Sequence, residues 1–411
     1  MTILAGKLLT FEEAKRAVDV SFKTPLLETE KIVLLEAYNR VLGIDVVAPQ
    51  DIPGFNTASV QGYAISAQDT VAASEDNSVT LKVWGTVTVG EQPRVGFLSG
   101  EAAEVSLGAI LPQGTDTVIG VQDSEREDDT LRVYGEVFQG ENMYKAGSDV
   151  QKGAVVLLRG QVLGSAEIGV LAALGFTEVT VFRIPMVAVF SVGAEIGELG
   201  KPLLAGKVFD VAAYSLCTAV MECGAKPVCL GVVDDRGAIA QMLRTAATVA
   251  DMVVVCSSVD IAEVVDGVDR PGVVVGGVAV KPGSQTVVSF IGEKPVFILP
   301  SNPSVALVMF QLFARSLVQR LGGRPVSGLR TVRAGAGSKM FGAKGRCTYV
   351  LVELKFDEEG RLIADPLQTT SGVVSSLSSV DGFVEIAENA PAIEADQEVV
   401  VLLFRGLASR G

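Results

Sequence analysis

Histidine is absent from this chain of 411 residues, and its five cysteines form no Cys-x-x-Cys pair. Without imidazole, the chain lacks the commonest general base and transition-metal ligand of proteins. The missing cysteine pairs argue against a zinc site or a disulfide framework. The cysteines fall in apolar segments, so we expect reduced, buried thiols and a cytoplasmic protein. Any catalysis is then left to carboxylates, lysines, backbone amides or a bound Mg²⁺.

Long apolar runs and basic patches are also missing. No apolar stretch reaches the roughly 18 residues that a membrane span needs, although 48% of the residues are hydrophobic. No charged segment followed by an apolar one opens the sequence, so we expect no secretory signal. The 34 Lys and Arg residues are outnumbered by 48 Asp and Glu residues, which gives a net charge of −14. We therefore expect a soluble protein with neither a membrane nor a nucleic-acid partner.

The most regular pattern lies between residues 185 and 306, where strand-length and helix-length segments alternate. The strand-length runs are almost continuously apolar, which is typical of strands buried on both faces of a parallel sheet. This pattern predicts a central three-layer α/β domain with a mostly parallel sheet. The predicted segments are strands at 186–192, 227–233, 252–256, 286–291 and 295–299, and helices at 211–223, 238–250 and 304–321.

The segments around this α/β unit predict three further domains. A capping box at Thr10–Glu13 predicts a helix over 11–22, and a second helix is predicted over 27–42. Short strands without helical periodicity predict a small β domain inserted into the N-terminal region, and a second strand-rich region predicts a C-terminal β-barrel-like domain. The predicted domains are 1–48 plus 138–182 (helical and mixed), 49–137 (inserted β), 183–325 (α/β) and 326–411 (C-terminal β).

Three polar segments follow strands of the predicted parallel sheet. They are residues 191–195, 257–260 and 299–302. In open α/β sheets ligands bind beyond the carboxyl ends of the strands. We therefore expect these segments to border one crevice that holds the functional site.

Six segments, in this order along the chain, resemble the molybdopterin molybdotransferases, the family of MoeA and the gephyrin E domain. They are PGF…GYAI at 53–65, GAILPQGTDTVI at 108–119, AGSDV at 146–150, VAVFSVGAEI at 187–196, VAVKPG at 278–283 and LPSNPSVA at 299–306. The resemblance covers nearly the whole chain. It implies an elongated homodimer with four domains per chain, in which partner residues near the first loop complete the site.

The resemblance also implies an activity and its reactants. It implies an enzyme that uses Mg²⁺ to hydrolyse adenylylated molybdopterin and to insert molybdate into the dithiolene. Carboxylates suit a hard cation such as Mg²⁺, and lysines or amides beside glycines suit phosphate and oxyanions. By match to the family, the candidate catalytic residues are Glu195, Lys281 and Asp149, and Glu195 is the one candidate metal ligand. The candidate ligand-binding residues are Gly193, Ser257, Ser258, Asp260, Pro282, Gly283, Pro300, Asn302 and Gln61.

The sequence departs from the family pattern at the loops that carry chemistry. The family's first loop resembles PGFDNSAMDGYAV, and Gln61 stands here at the aspartate before Gly-Tyr. Its TGDEL segment is Val-Gly-Ala-Glu-Ile here, so Ala194 replaces an aspartate. Its GGVSVGxxD loop is SSVDIAEVV at 257–265. Glycines let backbone amides approach a phosphate closely, so these serines and Asp260 are expected to weaken phosphate binding.

Several functions remain open at this point. The chain is a molybdotransferase with weakened or lost activity, or a non-catalytic dimeric paralogue that acts as a scaffold for a protein partner. In a third interpretation the crevice binds another small ligand through Asp260 and Lys281. The acidic run of Asp260, Glu263, Asp266 and Asp269 is either an exposed charged loop or a replacement cation site.

Overall fold

The computed structural model describes residues 8–23, 26–93, 96–367 and 374–404. Residues 1–7, on which the expected absence of a secretory signal partly rests, lie outside these ranges, as do residues 405–411 of the predicted C-terminal domain. In the part of the chain that is described, no helix is long and apolar enough to cross a membrane. The predicted domain boundaries remain predictions.

The first helix, α1 (Phe11–Ser21), begins at the predicted capping box. The hydroxyl of Thr10 accepts a hydrogen bond from the N–H of Glu13 (3.2 Å), and the Glu13 carboxylate accepts one from the N–H of Thr10 (2.9 Å). These bonds satisfy two of the amides that a helix start leaves free. The buried face of α1, Ala14 and Val18, packs into the core of the central domain.

The helix predicted over 27–42 is wrong. Residues Thr29–Val33 form a strand, β1, and Leu34–Ala37 form a single 3₁₀ turn. Strand β1 pairs antiparallel with residues 178–182, about 150 positions further along the chain. Its β-branched residues favour a strand, and a partner so distant in sequence leaves no trace in local periodicity.

The inserted domain is built on one six-stranded sheet with the order β7-β4-β6-β5-β9-β8. Strand β5 (Val79–Val87) is continuous, although its pairing with β6 shifts register between Val83 and Thr86. This part of the chain contains β2 (Val46–Val47), β3 (Thr57–Ala58), β4 (Gly62–Ile65), β5 (Val79–Val87), β6 (Glu101–Val105), β7 (Thr117–Gly120), β8 (Ser124–Glu127) and β9 (Thr130–Val133).

The chain then returns to the N-terminal domain. The returning elements are β10 (Met143–Tyr144), β11 (Val155–Leu157), α2 (Ser165–Ala173) and β12 (Glu178–Phe182). Strand β10 pairs with β3, β11 with β2, and β12 with β1. Leu42, Leu163, Leu171 and Val181 form the centre of their shared core. The β domain is therefore an insertion between two halves of one unit, as predicted.

The central domain confirms the predicted three-layer α/β architecture. Its sheet has the order β16-β13-β17-β21-β20-β18. The pairings among the first four strands are parallel, and the pairings β21–β20 and β20–β18 are antiparallel. Helices α1, α3, α6 and α7 pack on one face, and α4 and α5 on the other. The elements are β13 (Met186–Val192), β14 (Ile196–Gly197), β15 (Val208–Phe209), α3 (Val211–Glu222), β16 (Lys226–Val233), α4 (Arg236–Val249), β17 (Met252–Ser257), α5 (Ala262–Asp266), β18 (Pro271–Val275), β19 (Val280–Lys281), β20 (Val287–Ile291), β21 (Lys294–Pro300), α6 (Pro303–Met309) and α7 (Arg315–Leu321).

The helix predicted over 304–321 is continuous but not uniform. Between α6 and α7 the residues Phe310–Ala314 form a π-helical turn. A π turn adds one residue to the helical repeat and so changes which side chains face the core. Phe310 and Phe313 are both buried there.

The C-terminal region is a closed five-stranded barrel, which confirms the predicted barrel-like domain. The strands follow the order β24-β25-β22-β28-β26, and β26 pairs back onto β24. The short strand β19 of the central domain also pairs with β24 and so joins the two domains. The elements are β22 (Thr331–Ala336), β23 (Met340–Phe341), β24 (Cys347–Phe356), β25 (Leu362–Pro366), α8 (Ser376–Ser379), β26 (Gly382–Ile386), β27 (Ala392–Ile393) and β28 (Glu398–Leu403).

The expectation that all five thiols are buried is wrong at two positions. Cys217, Cys223 and Cys256 are buried, but Cys347 is only half-buried and Cys229 is exposed. Cys229 lies on β16, which is the edge strand of the central sheet. An edge strand has a neighbour on one side only, so its apolar residues are less completely covered.

We expect iodoacetamide at pH 7.5 to modify Cys229 rapidly and the other thiols slowly. Burial raises the pKa of Cys217 to about 12 and those of Cys223 and Cys347 to about 11. Burial also raises the pKa of Cys256. The thiolate is the reactive form, so these four thiols react in the folded chain only at strongly alkaline pH. Mass spectrometry of the modified peptides measures this, with urea-unfolded protein as the control. Equal rates at Cys217 and Cys229 in the folded protein would contradict it.

Candidate functional site

The carboxyl ends of three parallel strands lie side by side in the central sheet. Val192 at the end of β13 pairs with Ser257 at the end of β17, and Ser257 pairs with Pro300 at the end of β21. The three segments singled out in the sequence therefore share one edge of the sheet. This edge is where open α/β sheets bind ligands.

Gly193 is the point at which the first two of these segments meet. A Cβ atom added to Gly193 would lie 2.7 and 2.8 Å from the carboxylate oxygens of Glu195 and 2.8 Å from the hydroxyl oxygen of Ser258. The two side chains therefore converge over a glycine that leaves room for them. The structure brings together Gly193, Glu195 and Ser258 from the predicted set.

The loop after β17 uses its own side chains to satisfy its backbone. The hydroxyl of Ser257 donates to the carbonyl of Val259 (2.6 Å) and accepts from the N–H of Val259 (3.3 Å). The N–H of Ser258 donates to the carbonyl of Val192 (3.2 Å). A carboxylate oxygen of Asp260 accepts from the N–H of Ala262 (2.9 Å). Three amides of this loop are therefore already committed within the protein.

A cavity of about 280 Å³ opens beside this loop. Its walls combine apolar groups from β20 and β21, such as Val287 and Ile298, with polar groups of the β17 loop and Gln285. No lysine or arginine is among the described residues that line it. Gln285 was not predicted as a site residue, because an exposed glutamine in a turn has no distinguishing signal in the sequence.

Asp210 is a further residue of this edge that the sequence analysis did not assign to the site. It is buried, and one carboxylate oxygen accepts from the hydroxyl of Ser191 (2.9 Å) and from the N–H of Ala213 (3.1 Å). It thereby caps α3 and ties that helix to the end of β13. An aspartate directly before a helical apolar pattern is the signal that identifies it as a cap.

Lys281, Pro282 and Gly283 lie at the joint between the central domain and the barrel. Lys281 is exposed, and its backbone pairs with Thr348 of β24. Gly283 has a φ of 105°, and a Cβ there would lie 2.6 Å from the sulfur of Met309. Gly283 is thus required by the fold. None of the three is among the described residues that line the strand-end cavity.

Pro300 and Asn302 have structural roles at the end of β21. Pro300 is buried as the last residue of the strand. The side-chain oxygen of Asn302 accepts from the N–H of Val305 (3.2 Å), and Pro303 occupies the first turn of α6. These are the usual roles of Asn and Pro at a helix start, and they account for Asn302 and Pro303 without a ligand.

Asp149 and Gln61 lie in a different part of the structure. Asp149 is exposed and its N–H donates to the carbonyl of Ile52 (3.0 Å), so it lies beside the first loop. Gln61 is exposed and directly precedes β4. Neither is among the described residues that line the strand-end cavity. The predicted site residues thus lie in three places: the strand-end crevice, the joint that carries Lys281, and the first loop.

The described donor groups of the crevice form no cluster that would hold a Mg²⁺ ion through protein ligands alone. Within the described ranges, no three Asp, Glu or Cys side chains lie close enough together to hold a metal ion. Mg²⁺ is usually held by one or two carboxylates with waters and substrate phosphates. The crevice offers Glu195, while Asp260 is used in its own loop.

Three carboxylates of the acidic run 260–269, those of Asp260, Asp266 and Asp269, bond to the local backbone. A carboxylate oxygen of Asp266 accepts from the N–H of Val273 (3.0 Å), and one of Asp269 accepts from the N–H of Arg270 (2.8 Å). Glu263 lies in the first turn of α5, where a negative charge is favourable. Each of these side chains, with Asp260, supports the local backbone.

Three family models match successive parts of the chain. The MoeA N-terminal region (domain I and II) matches residues 9–175, a probable molybdopterin binding domain matches 188–320, and the MoeA C-terminal region (domain IV) matches 333–404. The three matched ranges follow the order of the N-terminal region with its inserted domain, the central domain and the C-terminal barrel.

Individual relatives agree with these models. The chain is 30% identical to a molybdopterin molybdenumtransferase of Nostoc over 72% of this chain and 70% of that protein. It is 28% identical to one of Bacillus subtilis, covering 92% of this chain and 90% of that protein. A solved MoeA molybdopterin biosynthesis protein of Pyrococcus horikosii superposes with a TM-score of 0.90 at 35% identity, covering 98% of this chain and 100% of that one. The chain therefore belongs to the MoeA family of molybdenum cofactor biosynthesis proteins.

Proposed function

We propose that the strand-end crevice binds molybdopterin, and that insertion of molybdate by this chain is weak or lost. The observation that carries the proposal is the β17 loop, whose amides at Ser258, Val259 and Ala262 are bonded within the protein. Family membership supports the ligand, and this loop supports the loss of activity.

The phosphate end of the substrate is the part that the crevice no longer suits. Phosphate sites in proteins rely on free backbone N–H groups and on cationic side chains. Here three of the loop amides are occupied, and among the described residues Asp260 lines the cavity and Glu195 lies beside Ser258, so the charges placed there are negative. Adenylylated molybdopterin carries more phosphate than molybdopterin, so it is expected to lose more affinity.

The alternative function is that of a non-catalytic dimeric paralogue that serves as a scaffold. Apolar side chains are exposed on the segment after Glu195 and along α3, among them Leu204 (66%), Val208 and Tyr214. An apolar surface of this kind favours a covering partner, and a second copy of the chain agrees with the homodimer that the family implies. Sedimentation of the purified chain measures the oligomeric state.

Calorimetric titration tests the proposal. We expect molybdopterin to bind, the adenylylated form to bind no more tightly, and Mg²⁺ to change neither affinity by more than about threefold, because the crevice lacks the ligands for the ion. The molybdopterin molybdenumtransferase of Bacillus subtilis is the positive control. If Mg²⁺ tightens binding of the adenylylated form tenfold or more, the site is intact and the proposal is wrong. If neither compound binds to the folded chain, the scaffold function is favoured instead.

A further inference from the structure

A cavity of about 660 Å³ lies in the inserted domain, far along the chain from the crevice. It is lined by residues of β5 and β6 and by described residues of 91–93 and 97–98, and the pairing of β5 with β6 shifts register between Val83 and Thr86. Its walls mix polar groups with apolar ones, and the apolar ones include Trp84, Val87, Phe97 and Leu98. Trp84 is 57% exposed and Leu98 is 74% exposed. We name this cavity, with the residues that line it, the Trp84 groove.

The rim of the Trp84 groove is acidic. Glu91 and Glu101 both line it. Each carboxylate accepts one backbone hydrogen bond, Glu91 from Thr88 (3.2 Å) and Glu101 from Leu98 (2.9 Å). These bonds hold the carboxylates at fixed positions, and each leaves one carboxylate oxygen that no described hydrogen bond uses.

The β8–β9 turn adds more negative charge next to the groove. The carbonyl of Asp129 accepts from the N–H of Val83 (2.8 Å), which places this turn beside Trp84. One positive charge also lies at the groove, because the ammonium of Lys82 is 3.9 Å from the centroid of the Trp84 ring. An indole ring attracts cations over its face, and Lys82 occupies one face of this ring.

The inserted region as a whole is negatively charged, like the carboxylates that line the Trp84 groove. Residues 49–137 contain 14 acidic and 4 basic side chains, a net charge of −10, whereas the whole chain has −14. The other residues together contribute only −4. The excess negative charge of the protein is therefore concentrated on the domain that carries the Trp84 groove, and such a field attracts positively charged partners.

We propose that the Trp84 groove binds a positively charged segment of a partner protein, with an apolar side chain of that segment inserted in the cavity. Exposed tryptophan beside a pocket is typical of the residues that dominate protein interfaces. Fixed carboxylates around an apolar pocket select a partner that offers both a cationic and an apolar group. The site is separate from the strand-end crevice and does not depend on the function proposed for it.

A synthetic peptide that alternates lysine with leucine and phenylalanine is a suitable probe. Trp84 is the single tryptophan of the chain, so its emission reports on the groove alone. We expect the peptide to shift this emission and to bind more weakly as salt is added. A peptide with glutamate in place of lysine should not bind. Binding of both peptides with equal affinity, or of neither, overturns the proposal.

Variants separate the groove from the general charge of the domain. With a fluorescein-labelled peptide, Trp84→Ala should weaken binding by about 30-fold, as expected for a central aromatic anchor. The double variant Glu91→Gln with Glu101→Gln keeps an oxygen to accept each backbone bond and removes two charges; about tenfold weaker binding is expected. The matched control is Glu358→Gln with Glu359→Gln, an equal charge change in the exposed barrel turn. If the groove double variant binds like this control, the proposal is wrong, whether or not Trp84→Ala folds.

Discussion

Gly62→Ala is expected to lower the stability of the inserted domain by at least about 3 kcal/mol, at the upper end of the cost of overpacking. Gly62 lies in β4, paired with Val105 of β6 on one side and Gly120 of β7 on the other. A Cβ at this position would lie 2.8 Å from the carbonyl carbon of Ile119 and closer still to its oxygen. These are backbone atoms of a paired strand, so no side-chain rotation relieves the clash, and β4 must separate from β7.

Urea unfolding followed through Trp84 measures this effect, because Trp84 lies on β5 of the same sheet. With a slope of about 2 kcal/mol per molar urea, the midpoint should fall by about 1.5 M. Gly135→Ala is the matched control in the same domain, since a Cβ at Gly135 meets no atom within 4 Å. It should change stability by no more than about 0.5 kcal/mol. Equal midpoints for the two variants would contradict the described packing of β4 on β7.

Gly62 also shows why a family motif is ambiguous evidence for a site. The GYAI segment at 62–65 is part of the resemblance to MoeA proteins, yet all four of its residues are buried in the inserted sheet. The close approach of the Ile119 carbonyl is sufficient to require glycine at this position. Pro282–Gly283 and Asn302–Pro303 are similar, because each is explained by a turn or a helix cap. The motifs that this chain shares with the family are therefore stronger evidence for its fold than for its catalytic activity.

The central domain could be predicted from the sequence because its pattern is local. Buried parallel strands such as β13 and β17 are apolar at almost every position, and their helices end at glycine or a polar turn. Strand β1 could not be predicted in this way, since its pairing with β12 joins residues far apart in sequence. The exposure of Cys229 likewise depends on the position of β16 at the edge of the sheet, which is a property of the order of the strands.

For the candidate site, too, some features could be predicted from the sequence and others could not. The adjacency of the three strand ends follows from a rule about parallel sheets, and the sequence analysis predicted it. The sequence also indicated that Ser257, Ser258 and Asp260 disfavour phosphate, because they stand where glycines would let backbone amides approach it. The structure adds hydrogen bonds within the loop, in which the Ser257 hydroxyl accepts from the N–H of Val259 and a carboxylate oxygen of Asp260 accepts from the N–H of Ala262. Hydrogen bonds of this kind depend on the turn geometry and cannot be read from residue types alone.

The second prediction with a large effect follows from these hydrogen bonds within the loop. Replacing Ser257→Gly and Ser258→Gly removes the hydroxyl that accepts from the Val259 N–H and the side chain that lies over Gly193. We expect the double variant to bind adenylylated molybdopterin at least tenfold more tightly than the native chain, because one hydrogen bond to a charged group contributes about 1.5–3 kcal/mol. Calorimetric titration measures the affinity, and thermal unfolding shows whether the variant remains folded.

The carboxylate changes Ala194→Asp and Gln61→Asp form the other half of the test. Alone, they should not improve binding, because Ala194→Asp adds negative charge beside loop amides that are still occupied, and Gln61 lies outside the described lining of the crevice. Combined with the two glycine substitutions, they supply carboxylates that the family pattern has, and molybdate insertion with Mg²⁺ should rise above that of the native chain. The increase in molybdate-insertion activity of the quadruple variant should exceed the sum of the increases of the two double variants. Such non-additivity is expected of groups that act together. If the serine substitutions have no effect on affinity, the occupied amides are not what weakens phosphate binding. The cause then lies in the crevice as a whole, including the position of the first loop that carries Gln61.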